Sequence, residues 1–234
     1  MLIKVEKILK TVFITVCGQK GGVAKTCTSI HLASVWHSQG KNVCIVDADK
    51  NRSALAYASR GGIPFPVFPV SAAAKASRSS EIVITDGQAS SDEEELKHLA
   101  YGSDLVIIPT TPKARSVELT VELANLLNDL KVNHAVLIVK VDSRKQKAAI
   151  QARDALQKIG LFVFEGFIPL LSAFDKAEAS GKAVFEAVDD LGRSDPRRMT
   201  GWSAYCSIAS QIQCQISKPL SVINSLSNHQ QISA

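Results

Sequence analysis

The segment that most constrains this chain is Lys20–Thr26, KGGVAKT, because of what stands on either side of it. Before it, Thr11–Cys17 (TVFITVC) is a run of β-branched and apolar residues. After it, Lys25–Gln39 carries Ile30, Leu32, Ala33 and Val35 and stops at Gln39–Gly40. The pattern predicts strand, glycine-rich loop and helix, with Gly40 in a left-handed cap. Gly21 and Gly22 let backbone N–H groups approach an anion without side-chain interference, and the following helix aims its positive end at the same place. Lys25 can reach the outer phosphates of a nucleotide, and Thr26 can ligate Mg²⁺. The common phosphate-loop pattern GxxxxGK[ST] is not met, since Gln19 and Ala24 stand at its two glycine positions. What remains is KGGxxK[ST].

Further short apolar runs occur at Asn42–Val46, Glu81–Thr85, Asp104–Pro109, His134–Val141 and Leu161–Ile168, each too short for a helix. Helix-length patterned stretches lie at about 92–101, 114–130, 144–159, 171–188 and 200–216. Strands alternating with helices, and strands reading as unbroken Val/Ile/Leu runs, predict a single-domain, doubly wound, mostly parallel sheet with helices on both faces. Gly61–Pro69 (GGIPFPVFP) suits an extended connection or edge strand, and 189–198 reads as loop. The expected domain spans 11–216, with an N-terminal extension at 1–10 and a polar, flexible tail at 217–234.

A length of 234 residues, with 46% hydrophobic and 21% charged, excludes a disordered chain, and no apolar run is long enough for a membrane span. The five cysteines show no metal-binding spacing and are expected as reduced thiols. Net charge is +5, unevenly spread: residues 1–60 hold nine basic and three acidic side chains, placing phosphate-facing chemistry early. Asp86 closes one apolar strand, where a carboxylate can hold Mg²⁺ through a water. Asp47 and Asp49 close another, two apart, so strand geometry directs both to one side. Glu93–Glu95 reads as a solvated first helical turn. His31, His37, His98 and His134 lack partners at ligand spacing, and Trp202 and Tyr205 read as helix packing.

With these residues in view, the chain resembles the ParA/MinD family of dimeric ATPases with a deviant phosphate loop. Lys20 matches the family's signature lysine, IVDADKNRSA (Ile45–Ala54) its second-strand motif, and IVITDG (Ile82–Gly87) its Walker B strand. SDLVIIPTTPKARSVEL (Ser103–Leu119) is similar to a segment of small plasmid partition ATPases, and IPLLSAFDKAEASGKAVFE (Ile168–Glu186) resembles the family's final βα unit, so the match covers about residues 11–190. Lys50 and Asn51 depart from the family's usual Pro and Gln after the second aspartate.

The resemblance implies a weak ATPase, stimulated by an adaptor, that uses ATP and Mg²⁺. Gly21, Gly22, Val23, Ala24, Lys25, Thr26, Cys27 and Pro169 would bind the nucleotide, and Thr26, Asp47 and Asp86 would organise the metal. Asp49 would orient the attacking water. Lys20 would reach the partner's nucleotide in an ATP-dependent homodimer. The basic group Lys182, Arg193, Arg197 and Arg198 would meet nonspecific DNA of the nucleoid in a salt-dependent manner. A ParB-like adaptor would couple this cycle to a plasmid or protein-organelle cargo in the cytoplasm. The alternative is a MinD-like membrane-cycling ATPase. That would need a basic amphipathic C-terminal helix, and only Lys218 is basic after residue 200, so no membrane partner is expected.

Overall fold

The computed structural model describes residues 10–89 and 93–216. The expected N-terminal extension, apart from Lys10, and the expected tail lie outside the described residues. Six strands, β1 (Val12–Gly18), β2 (Val43–Ala48), β3 (Val67–Pro69), β4 (Ile82–Ala89), β5 (Leu105–Thr110) and β6 (His134–Ile138), form one sheet in the order β3-β2-β4-β1-β5-β6. Every pairing in it is parallel, so all the strands end at the same edge.

The helices are α1 (Lys25–Ser38), α2 (Ser53–Ala58), α3 (Ala73–Ser79), α4 (Glu93–Ala100), α5 (Ala114–Asp129), α6 (Gln146–Lys158), α7 (Ser172–Ser180) and α8 (Arg198–Ile216). They cover both faces. Alternate residues of the strands feed two cores: Ile14, Val16, Leu105 and Ile107 pack with α1 and α8, and Val106, Ile108, Val136 and Ile138 pack with α4, α5 and α6. The unbroken apolar strand runs follow from this burial on both sides.

Gly40 caps α1 at φ +79°, and the Lys41 N–H closes the turn on the Trp36 carbonyl at 3.0 Å. Pro69 ends β3 at the sheet edge, where a missing N–H is tolerated. Two expectations are corrected. Leu161–Ile168 is no strand of the sheet; Val163 forms an isolated bridge to Val136, and Ile168 makes backbone hydrogen bonds to Ile138 and Val141. Gln211 of α8 binds both the N–H and the carbonyl of Glu165, and Gly166 takes φ +85°, so the backbone leaves the ladder there. The helix expected over 171–188 stops at Ser180, because Gly181 adopts φ +66° and its backbone lies against Tyr57 and Arg60.

Candidate functional site

At the strand-end edge of the sheet lies a cleft of about 860 Å³. Its floor is the loop between β1 and α1. A Cβ placed on Gly21 or Gly22 would meet nothing within 4 Å, so both amides border open space, and Gly22 sits at φ +75°. Ala24, the N-cap of α1, is also left-handed at φ +60°, with no side-chain cap. An L-residue is strained there by roughly 1 kcal/mol relative to glycine. The loop therefore keeps the glycine-type backbone path while carrying a methyl group.

Lys25 is 8% exposed, and its Nζ donates to the Lys20 carbonyl at 3.1 Å. Burial lowers its pKa, opposed by the charges of Asp86 and Asp49. Thr26 Oγ1 donates to Asp86 Oδ2 at 2.7 Å, and Ser29 Oγ donates to Asp86 Oδ1 at 2.8 Å. Asp86 is fully buried, and desolvation pushes its carboxyl up to about 7 against the help of these two hydroxyls. Cys27 lines the cleft, and burial pushes its thiol up to about 12. Val23 faces away from the cleft, 2% exposed, beside Leu119 of α5.

Asp47 and Asp49 do not act as a side-by-side pair. Asp47, 4% exposed, accepts the Asp49 N–H at 3.0 Å and the Leu55 N–H at 2.8 Å, so it caps α2 and fixes the loop that carries Asp49. Asp49 stands beyond the strand end on the cleft lining, accepting from the Asn51 N–H and from Ser53 Oγ. Lys50 reaches across to Glu95 of α4 at 2.7 Å; Glu93 and Glu94 are exposed as expected of the first turn, and Glu95 is half-buried in it. Glu95 also accepts from Gln88, a cleft residue that sequence reasoning missed because its partner comes from another element.

The far end of the cleft is apolar, with Pro169, Leu170 and Phe174, and it also meets Lys140, Asp175 and Glu178. Lys20 does not line this cleft but borders a small hollow with Val23 and Leu119. Of the basic group, Arg193, Arg197 and Arg198 share one loop-to-helix junction, where Arg193 is held by Asp189 at 2.7 Å and Arg198 donates to the Asp195 carbonyl at 3.1 Å. Lys182 is set apart, its stem against Gly62 after α2. His31 is fully buried, with Nδ1 donating to the Cys27 carbonyl at 2.7 Å and Nε2 accepting the Val184 N–H at 3.1 Å.

These donors fit a nucleotide phosphate chain with Mg²⁺. Open glycine amides and a helix N-terminus address anionic oxygens, Lys25 adds charge, and the Thr26 hydroxyl, backed by Asp86, suits a hard cation. Among the described residues no three of His, Cys, Asp and Glu converge into a metal cluster. No helix among them is long and apolar enough to cross a membrane.

A family model for the CobQ/CobB/MinD/ParA nucleotide binding domain matches residues 14–184. The chain is 26% identical over 181 residues to the maintenance of carboxysome distribution protein A of Gloeobacter kilaueensis, covering 74% of this chain and 83% of that protein. It is 27% identical over 144 residues to the protein ParA of Rhizobium radiobacter, covering 55% and 64%. Among solved structures, the MinD cell division protein of Aquifex aeolicus is similar in fold, with a TM-score of 0.68 at 16% identity over 90% of this chain and 100% of that one.

Proposed function

Because the chain belongs to the CobQ/CobB/MinD/ParA nucleotide-binding family, we propose that it is a positioning ATPase. It would bind Mg-ATP, dimerise around it, hold nonspecific DNA and release on adaptor-stimulated hydrolysis. The observation that carries the nucleotide part is the Thr26–Asp86 hydrogen bond beneath the open Gly21–Gly22 loop, at the floor of a cleft large enough for a nucleotide. Gly21, Gly22, Ala24, Lys25, Thr26 and Cys27 hold the phosphates in this reading, Thr26 and Asp86 hold the metal, and Pro169 borders the base. Bound Mg²⁺ would neutralise charge on the phosphates. Asp49 orients the water, and Asp47 keeps Asp49 in place.

The position of Lys20, outside its own cleft, supports a role toward a second subunit, where its ammonium would stabilise charge on the transferred phosphoryl group. The two sequence relatives, one named for carboxysome distribution and one named ParA, support cargo positioning. The exposed junction carrying Arg193, Arg197 and Arg198 is the proposed DNA contact, and a ParB-like protein the adaptor.

Fluorescence anisotropy with a random-sequence duplex tests this reading, with ATP, ADP or no nucleotide at two salt concentrations. Tight, salt-sensitive binding with ATP alone is expected. ATP-driven dimerisation without DNA binding would sink the DNA step and redirect the search to lipid vesicles, the MinD-like alternative.

A further inference from the structure

The wall of the cleft holds one buried amide that the reading above leaves without a task. Gln88 follows Asp86 by two residues at the end of β4, where the ladder to β1 slips by one residue between Val16↔Asp86 and Gly18↔Ala89; strand alternation is broken there, and Gln88 turns to Glu95 and the cleft. Gly87 between them is locked from the other side: a Cβ there would meet Cys17 Cβ at 3.0 Å, the Val16 carbonyl oxygen at 3.1 Å and Leu99 Cδ1 at 3.3 Å. There is thus no room for a side chain at Gly87, and Gln88 beside it is 9% exposed and lines the cleft together with Lys25, Thr26 and Asp49.

The orientation of the Gln88 amide is set chemically. Its neighbour Glu95 is a carboxylate with acceptors only, so the atom on Glu95 is Nε2, and Oε1 is the atom turned from it. Among the described residues no donor is seen at Oε1. The other oxygen of Glu95 takes Lys50 Nζ at 2.7 Å, and Lys50 follows Asp49 directly. The loop after β2, the end of β4 and the first turn of α4 are thus joined through Glu95 beside the cleft.

We propose that Gln88 is a catalytic residue for ATP hydrolysis, its Oε1 accepting a hydrogen bond from the attacking water alongside Asp49, with Glu95 and Lys50 as positioning residues that fix the amide. The inference rests on the nucleotide reading of the cleft. In the step concerned, the water oxygen bonds to the γ-phosphorus while the bond from that phosphorus to the β,γ-bridging oxygen breaks. The electron pair leaves with ADP, and the water proton passes to the released phosphate and then to solvent. A neutral amide does not take that proton, so Gln88 contributes orientation.

The test uses the full chain. Single-turnover hydrolysis of Mg-ATP and equilibrium binding of a fluorescent, non-hydrolysable ATP analogue are measured for the wild type, Gln88→Ala, Glu95→Ala, Glu95→Gln and the Gln88→Ala/Glu95→Ala pair. Gln88→Ala should lower the rate roughly 10- to 100-fold while analogue Kd stays within about 3-fold. Glu95→Ala should cost less and add nothing to Gln88→Ala, because it acts through the same amide. Glu95→Gln, whose carbonyl still accepts, should recover part of the loss. Wild-type hydrolysis by Gln88→Ala, with binding intact, overturns this inference alone. A further slowing of the paired variant by the full Glu95→Ala factor overturns the positioning role. A wild-type protein that binds no analogue overturns the nucleotide reading and this inference together.

Discussion

Asp47 and Asp86 stand directly opposite each other in the β2–β4 ladder, yet only Asp86 faces the phosphate loop; Asp47 gives both its oxygens to backbone N–H groups. The two carboxylates should therefore respond differently to substitution. Asp47→Ala leaves two amides without an acceptor and should cost about 2 kcal/mol, read from urea unfolding. Asp86→Asn keeps an acceptor for one hydroxyl but removes the chief counter-charge of buried Lys25, so it should cost less stability than Asp47→Ala while Mg-dependent ATP affinity falls. Equal destabilisation by both would contradict this division.

Ala24 is an alanine in a left-handed conformation at the head of α1. Ala24→Gly removes the steric strain at some cost in unfolded-chain entropy, for a net gain of about 0.5 kcal/mol. Ala24→Val, branched at the same φ, should lose 1–2 kcal/mol or about that much. Thermal unfolding of the three proteins gives the order, and Val above Gly would refute it.

Acid should weaken the fold through His31. Its folded pKa is lowered to about 4 by burial, against an ordinary value of 6.5, with the rings of Phe174 and Tyr205 packed on it. The unfolded chain takes up a proton that the folded one refuses, so the stability is complete above pH 6.5 and is lost as pH falls toward 4. Roughly 2 kcal/mol of the His31 contribution should disappear between pH 7 and pH 5, while Asp86, its carboxyl pushed up to about 7, shifts stability the opposite way over the same interval. The difference in urea midpoint between wild type and His31→Gln at the two pH values isolates the His31 part: the variant should be less stable at pH 7, and the gap should close toward acid.

The three arginines at the start of α8 should not contribute alike to DNA binding. Arg193 is already paired with Asp189, and Arg198 with the Asp195 carbonyl, while Arg197 is exposed. Arg197→Ala should reduce the slope of log K against log salt by about 1. Arg193→Ala should change it less, because that guanidinium is shared with a carboxylate. A larger effect at Arg193 would show that the Asp189 pair opens on DNA.

What could be read in the sequence was local. The β1–loop–α1 unit was legible because KGGVAKT, the apolar run before it and the Gly40 cap are contiguous. The edge strand ending at Pro69 was legible for the same reason, proline marking where no N–H is needed. The misread strand at Leu161–Ile168 failed through Gln211, which occupies the Glu165 backbone from 46 positions away. Helix α2 was missed because six residues carry little pattern and its cap, Asp47, lies in the preceding strand. Lys25, Thr26 and Asp86, singled out by motif, do come together at the cleft floor. Gln88 was passed over and Glu95 was read as solvated, because the bond that joins them at the cleft pairs the end of a strand with a neighbouring helix.

The strand order also sets a schedule for synthesis. Of the described strands β1 comes first in the chain, and it is flanked by β4 and β5, so Val12 waits for Ile82 and Ile14 for Leu105. At 5–20 residues per second, some 70 positions of chain take roughly 4–14 s to emerge. During that interval Phe13, Ile14 and Val16 have no neighbouring strand, and α1 has no sheet to cover. Among the described strands β1 is thus the one whose exposure on the nascent chain lasts longest, which makes TVFITVC the segment a ribosome-associated chaperone would be expected to shield.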